Sequence, residues 1–182
     1  MGNENGKLQL RKTLFGIKMS VRDHSARLAF FDKCARNFKI VSVLSSTAVV
    51  VTLLGSLPTF ISVAAGLILA LFSAIDLVAQ PEIKARRHEK LRNDFMALEG
   101  DVGERLALDA EISSSEAQEF TRCRLAIEED EPPTLTWLTL HSRNQQIISQ
   151  KGVDAPELVK IPTLQKWFIN FGDMFDYRSA RS

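Results

Sequence analysis

With 182 residues, 25% of them charged and 45% hydrophobic, the chain has the average make-up of a single soluble domain. Its net charge of +1 hides three blocks: 9 basic and 3 acidic residues up to residue 39, 8 and 15 from 76 to 131, then 6 and 4 to the end. No block is basic enough to argue for direct nucleic-acid binding, and two distant cysteines, Cys34 and Cys123, exclude a disulfide framework or a structural metal site.

Residues 1–20 read as a flexible or amphipathic lead-in, and Met1-Gly2 lacks the Ser or Thr at position 6 that N-myristoylation needs. A long basic first helix is expected over about 21–57. Along it Leu28, Phe31, Ala35, Phe38, Ser42, Ser45, Val49, Thr52 and Ser56 recur at alternating spacings of 3 and 4, which places them on one face. That seam is large and apolar at first and small and hydroxylated later. Two readings stay open: a pore-lining or helix-packing face, or hydroxyls that satisfy their own helix carbonyls.

Between residues 40 and 75 no charge occurs, a run expected by chance in roughly one chain of this length in a thousand. One helix over 36 residues would measure about 54 Å, nearly twice a bilayer's hydrocarbon core. Gly55-Ser56-Leu57-Pro58-Thr59 divides the run, since proline removes a backbone donor and restricts the residue before it. Each half is just long enough to cross. The expected fold is therefore all-α: a two-transmembrane helical hairpin over 21–80, its second helix spanning about 59–80, and a cytosolic α-helical bundle. Arg22, Arg27, Lys33, Arg36 and Lys39 on one flank and Lys84, Arg86, Arg87, Lys90 and Arg92 on the other place both termini in the cytoplasm. A buried hairpin in a soluble protein is the alternative.

In the second helix Ser62, Gly66, Ala70 and Ala74 put a small residue at every fourth position, a helix–helix contact pattern that serves either within one chain or between chains. Lys39 and Asp76 bracket the span as boundary charges, either anchors, a local pair or rings in an oligomer. No ionisable group lies between them, which excludes a proton relay or voltage sensor there.

The region 81–150 reads as cytosolic helices. Pro81 suits a first helical turn, and Leu91, Phe95, Leu98, Val102 and Leu106 line one face. Ser113 and Glu116 have capping-box spacing before a helix over 116–129, with Phe120, Cys123 and Ile127 as its buried stripe. Glu128-Glu129-Asp130-Glu131 is an acidic cluster, read as a solvated helix end or a dock for a basic partner. A further helix over 135–149 presents Leu138, His141, Gln145 and Ile148. Residues 151–182 form a connector and an aromatic C-terminal helix with Leu164, Trp167, Phe168, Phe171, Phe175 and Tyr177, suited to the bundle or to a membrane interface.

Catalytic motifs are lacking. His88-Glu89-Lys90-Leu91-Arg92 starts like a zinc-protease helix, but Arg92 stands in the second histidine's place. His24, His88 and His141 are isolated in sequence and read as structural or exposed. No enzyme, cofactor or metal is expected.

The order of these features, with Asp76-Leu77-Val78-Ala79-Gln80-Pro81-Glu82-Ile83-Lys84-Ala85-Arg86-Arg87-His88 and the later Ile127-Glu128-Glu129-Asp130-Glu131-Pro132-Pro133, resembles the SLATT family over about residues 20–175. Its members are two-transmembrane effectors of prokaryotic conflict systems, proposed to form membrane pores. The resemblance implies a bacterial inner-membrane protein in antiviral defence, a homo-oligomer in the lipid bilayer, with Pro81, Ala85 and His88 as the post-membrane signature. It also implies a separate partner: a nucleotide-signalling enzyme, a nucleotide sensor or a reverse transcriptase. A membrane-anchored scaffold and a soluble helical adaptor are the competing readings.

Overall fold

Helix α1 (Gly2–Leu53) runs for 52 residues, about 78 Å, because neither proline nor a positive-φ residue interrupts it. It is followed by α2 (Thr59–Ala79), α3 (Pro81–Ala107), α4 (Ser114–Glu128) and α5 (Thr136–Lys151). The computed structural model describes residues 2–53, 55, 58–108, 111–133, 135–152 and 155–163, and these are all-helical apart from turns and connectors. The expected aromatic helix of the tail lies outside the described residues. The chain divides into two units: Met1–Arg27 with His88–Ser182 (unit 1), and Leu28–Arg87 (unit 2).

In unit 1, Leu10 and Ile17 of α1 pack with Phe95, Leu98 and Val102 of α3, with Ile112, and with Ala117 of α4; Leu14, Val21, Leu106, Phe120 and Ile127 close the margins. The stripe expected on α3 is the buried one, extended backward through Pro81, Ala85 and His88 at the same spacing. Of the two readings of 1–20, flexible or amphipathic, the flexible one is corrected: helix begins at Gly2, and its inner face supplies core. That face is Gly6, Leu10, Thr13, Ile17 and His24, in which small and polar residues stand where a hydropathy pattern looks for large apolar ones. Gly6 is required, since a Cβ there would sit 2.1 Å from the Ile112 carbonyl oxygen.

Ser113 caps α4, its hydroxyl accepting from the Glu116 backbone N–H at 3.1 Å. The Glu116 carboxylate is engaged by Arg105 of α3, which, with the Ser113 backbone, holds it below the usual carboxylate range. Two stripes are corrected. On α4 Ala117 is buried and Cys123 is exposed, and on α5 the buried residues are Trp137, Leu138, Ser142, Gln146 and Ile147, so His141, Gln145 and Ile148 lie off the inner face. Both helices are polar enough that several registers carry similar apolar content. Beyond α5, Asn144 clamps the connector by donating to the Val159 carbonyl at 2.6 Å and accepting from its N–H at 3.0 Å.

Unit 2 holds the second part of α1, all of α2 and the first turns of α3. Gly55 takes φ +79, a value that favours glycine, and Pro58 is the extended residue that precedes α2. At the other end Gln80 adopts the left-handed conformation, its N–H bonding to the Asp76 carbonyl, and Pro81 opens α3 where a missing N–H costs nothing. Phe38 and Phe72 meet edge to face at 5.8 Å between centroids. About two turns farther along each helix, Ser45 and Ala65 are buried.

Gly6→Ala is expected to lower the stability of the folded chain by about 1–3 kcal/mol, because the added methyl meets backbone rather than a movable side chain. Phe95→Ala, which empties the largest fully buried site, is expected to cost about 3–5 kcal/mol. Chemical denaturation in mild detergent measures both; a Gly6→Ala midpoint equal to wild type would disprove the close approach.

Candidate functional site

Most of unit 2 outside its one contact face is exposed and apolar: Val43, Leu44 and Val50 on α1, and Phe60, Leu67 and Leu71 on α2. Only 11% of the most apolar stretch of α1 and 6% of that of the α2 segment are buried, whereas a core helix of a soluble protein would be mostly covered. Both are long and apolar enough to span a membrane.

The structure sorts the residues put forward from sequence. Ser42 and Val49 are half-buried and Ser45 is buried, so in the single chain this edge of α1 is packed rather than lining an open path. Ser56 and the side chain of Thr52 lie outside the described residues. Neighbouring hydroxyls bond back to their own helix, Ser46 to the Ser42 carbonyl at 2.7 Å and Thr47 to that of Val43 at 2.8 Å. On α2, Ser62 and Gly66 are half-buried while Ala70 and Ala74 are exposed. An every-fourth-residue row slants around a helix, whereas the contact with α1 follows Ser62, Ala65, Leu69 and Phe72. Lys39 is exposed and ion-paired with Glu82; Asp76, also exposed, adds to the attraction.

Sequence reasoning missed a buried polar cluster in unit 1. His24 of α1 and His88 of α3, both 3% exposed, face each other with their Nδ1 atoms 3.0 Å apart. The other ring nitrogen of His24, Nε2, lies 3.1 Å from the Glu131 carboxylate, and the His24 ring stacks on Phe95 with centroids 5.6 Å apart. With both rings neutral, one proton arrangement satisfies these contacts. His24 Nε2–H donates to Glu131, which leaves its Nδ1 as acceptor, so His88 must donate from Nδ1. Beside them Asp23 accepts a bond from the Ser142 hydroxyl at 3.4 Å; burial pushes its carboxyl above the usual range against the pull of His24 and Arg27. Burial likewise lowers the Arg27 guanidinium from its ordinary value.

A cavity of about 240 Å³ adjoins the cluster, lined by Ser20, Asp23, Arg124, Glu128, Glu131 and Thr139 among others. Arg124 donates to Glu128 at 2.6 Å and so neutralises part of its acidic wall. Among the described residues no group of three His, Cys, Asp or Glu side chains is placed to hold a metal ion. The histidine pair thus works as a polar clamp between α1 and α3. Its signal in the sequence was positional: His24 continues the Leu10–Ile17 stripe and His88 precedes Leu91 and Phe95 on theirs, so both polar rings fall on core faces.

No protein-family model, curated protein or solved structure matches this chain. The resemblance to SLATT proteins therefore rests on the residues quoted for it, of which Pro81, Ala85 and His88 all lie on the buried face of α3.

His88→Ala, which removes the ring facing His24 Nδ1 at 3.0 Å, is expected to cost about 1–3 kcal/mol, measured by chemical denaturation in mild detergent. Asp23 has a raised folded pKa, so the folded state holds its proton longer than the unfolded one, and its stabilising contribution falls as pH rises from 3.8 through that raised value. Asp23→Asn should flatten this part of a stability-against-pH curve; an unchanged slope would contradict the burial argument.

Proposed function

We propose that the chain is a membrane effector that crosses the bilayer as a two-helix hairpin, with both termini and the remaining helices cytoplasmic, and acts by assembling several copies into a pore or a membrane-disrupting cluster. The observation that carries this reading is the scant burial of two long apolar stretches, 11% and 6%, with large side chains such as Phe60, Leu67 and Leu71 exposed. Lipid makes that surface unremarkable and leaves helix association to packing. The basic residues on both flanks support the cytoplasmic placement. The SLATT resemblance supports the role, an inner-membrane effector in antiviral defence that kills or arrests the infected cell when a nucleotide-signalling enzyme, a nucleotide sensor or a reverse transcriptase triggers it.

Two crossings enclose no aqueous path, so conduction needs several copies. Ser45 is buried in the single chain, so lining a path with Ser42, Ser45, Thr52 and Ser56 requires that edge to be uncovered within the assembly. That same covered edge favours a second reading, in which the hairpin is a closed tether for cytoplasmic helices that bind another protein.

Gly66 separates the two. A Cβ there meets no heavy atom within 4 Å, so the backbone at this position has room for a side chain to begin. For the pore reading, the activated wild-type protein in liposomes is expected to release an entrapped dye, and Gly66→Leu to reduce release at least ten-fold with insertion unchanged. Equal release from both proteins removes the role given to this helix edge. Wild-type function that survives replacement of the hairpin by an unrelated two-pass anchor assigns the tether reading.

A further inference from the structure

The charges of unit 2 are unlike those of the rest of the chain. Residues 28–87 carry six Lys or Arg against three Asp or Glu, while the remainder carries 17 against 19, and all nine charges of unit 2 lie outside the apolar run. They gather at the foot of the helix pair. There Lys39 and Glu82 form an ion pair with side chains 72% and 51% exposed, so its two charges cancel at the surface. Arg86 is one turn beyond Glu82 and close enough to act electrostatically on both members of the pair; Arg36 is about one turn before Lys39 on the same side of α1. Arg36 and Arg86 are exposed and form no ion pair among the described residues, and Lys33 continues their row on α1. Asp76 and Asp32 are the remaining acids of the unit, and Lys84 is occupied over the face of Phe31 at 5.8 Å.

Exposed apolar side chains border these cations directly: Ile40 beyond Arg36, Leu77 and Val78 before the Gln80 turn, and Ile83 on the face of α3 that carries Arg86. A ligand that satisfies both surfaces has a net anionic, multidentate oxygen group joined to hydrocarbon. A guanidinium presents a planar fork of donors that matches phosphate oxygens, which an ammonium does not. We propose that Arg36 and Arg86, flanking the Lys39–Glu82 pair, bind the phosphate of anionic phospholipids such as phosphatidylglycerol, whose acyl chains cover the adjoining apolar side chains. The proposal rests on the membrane placement given above and adds to it a lipid class and a site. Inorganic phosphate or a soluble phosphate ester would use the cations and leave the apolar border untouched.

The test uses the full chain reconstituted in phosphatidylcholine vesicles containing trace spin-labelled phosphatidylglycerol or spin-labelled phosphatidylcholine, with the motionally restricted fraction of each read by electron spin resonance. The wild type is expected to favour phosphatidylglycerol several-fold, and Arg36→Gln and Arg86→Gln each to reduce that preference by roughly five-fold or to its floor of unity. The charge-preserving pair Arg36→Lys with Arg86→Lys should keep part of it, which guards against a folding defect in the glutamine variants. Equal association of the two lipids with wild type, or an undiminished preference in the double glutamine variant, overturns the proposal. Competition by millimolar glycerol 3-phosphate would assign the site to free phosphates and overturn the lipid source. Release of the chain from the vesicles by alkaline carbonate is a separate outcome that overturns the membrane placement itself, and the site with it.

Discussion

Two helices packed side by side can hide one face each, and this geometric limit governs unit 2. The contact built by Phe38, Ser45, Ala65 and Phe72 uses that single face, and every other direction around α1 and α2 leaves Val, Leu, Ile and Phe uncovered. At about 25 cal/mol for each Å² of apolar surface, keeping such a surface in water would oppose folding of the pair. A hydrocarbon solvent would remove that penalty and with it the drive for further burial; the contact itself mixes small residues, Ser45 and Ala65, with the aromatic pair Phe38 and Phe72. The interior of unit 1 is filled instead by Phe95, Leu10, Ile17 and Leu91.

The sequence was most legible where one physical signal stood without competitors. Proline and glycine around residue 57 and proline at 81 left α2 no other bounds, and the structure places it at Thr59–Ala79. The stripe from Leu91 to Leu106 had large apolar residues on one face and charges elsewhere, and Ser113 offered an acceptor three residues before Glu116. Legibility failed where burial is carried by residues that do not look buried. Gly6, Thr13 and His24 are inner-face residues of α1, and Ser142 and Gln146 are inner-face residues of α5. A periodicity count gives such positions no weight, so the first twenty residues read as a lead-in and α5 was placed in a neighbouring register.

The histidine pair is the sharpest case of that failure. His24 and His88 are 64 residues apart, and Glu131 is 107 from His24, so no local pattern brings them together. Isolated in sequence, each ring is a polar residue of no evident purpose. Assembled, each supplies what the other lacks, because a buried imidazole needs one donor and one acceptor satisfied and the carboxylate settles which nitrogen does which. A mutual arrangement of this kind fixes the rotational setting of α1 against α3 in unit 1 more tightly than apolar contacts, which tolerate sliding. Of the two readings of these histidines, structural or exposed, burial removes the exposed one for His24 and His88, and neither reading anticipated their partnership.

The same residue type can answer to different surroundings at two places in one chain. Gly6 is held by the inside: the Ile112 backbone lies so near that no side chain fits. Gly66 has no such neighbour, and in an exposed helix an alanine would stabilise the same backbone by up to about 1 kcal/mol. Among the described residues nothing calls for glycine at 66. Half-buried Gly66 shares its edge of α2 with the exposed Ala70 and Ala74, an edge along which backbones of neighbouring helices can approach in a solvent of acyl chains. An edge of small residues is poor at holding one chain together in water and well suited to contact between chains in lipid, which is why the tether and the assembly diverge at this position and not at Ser45.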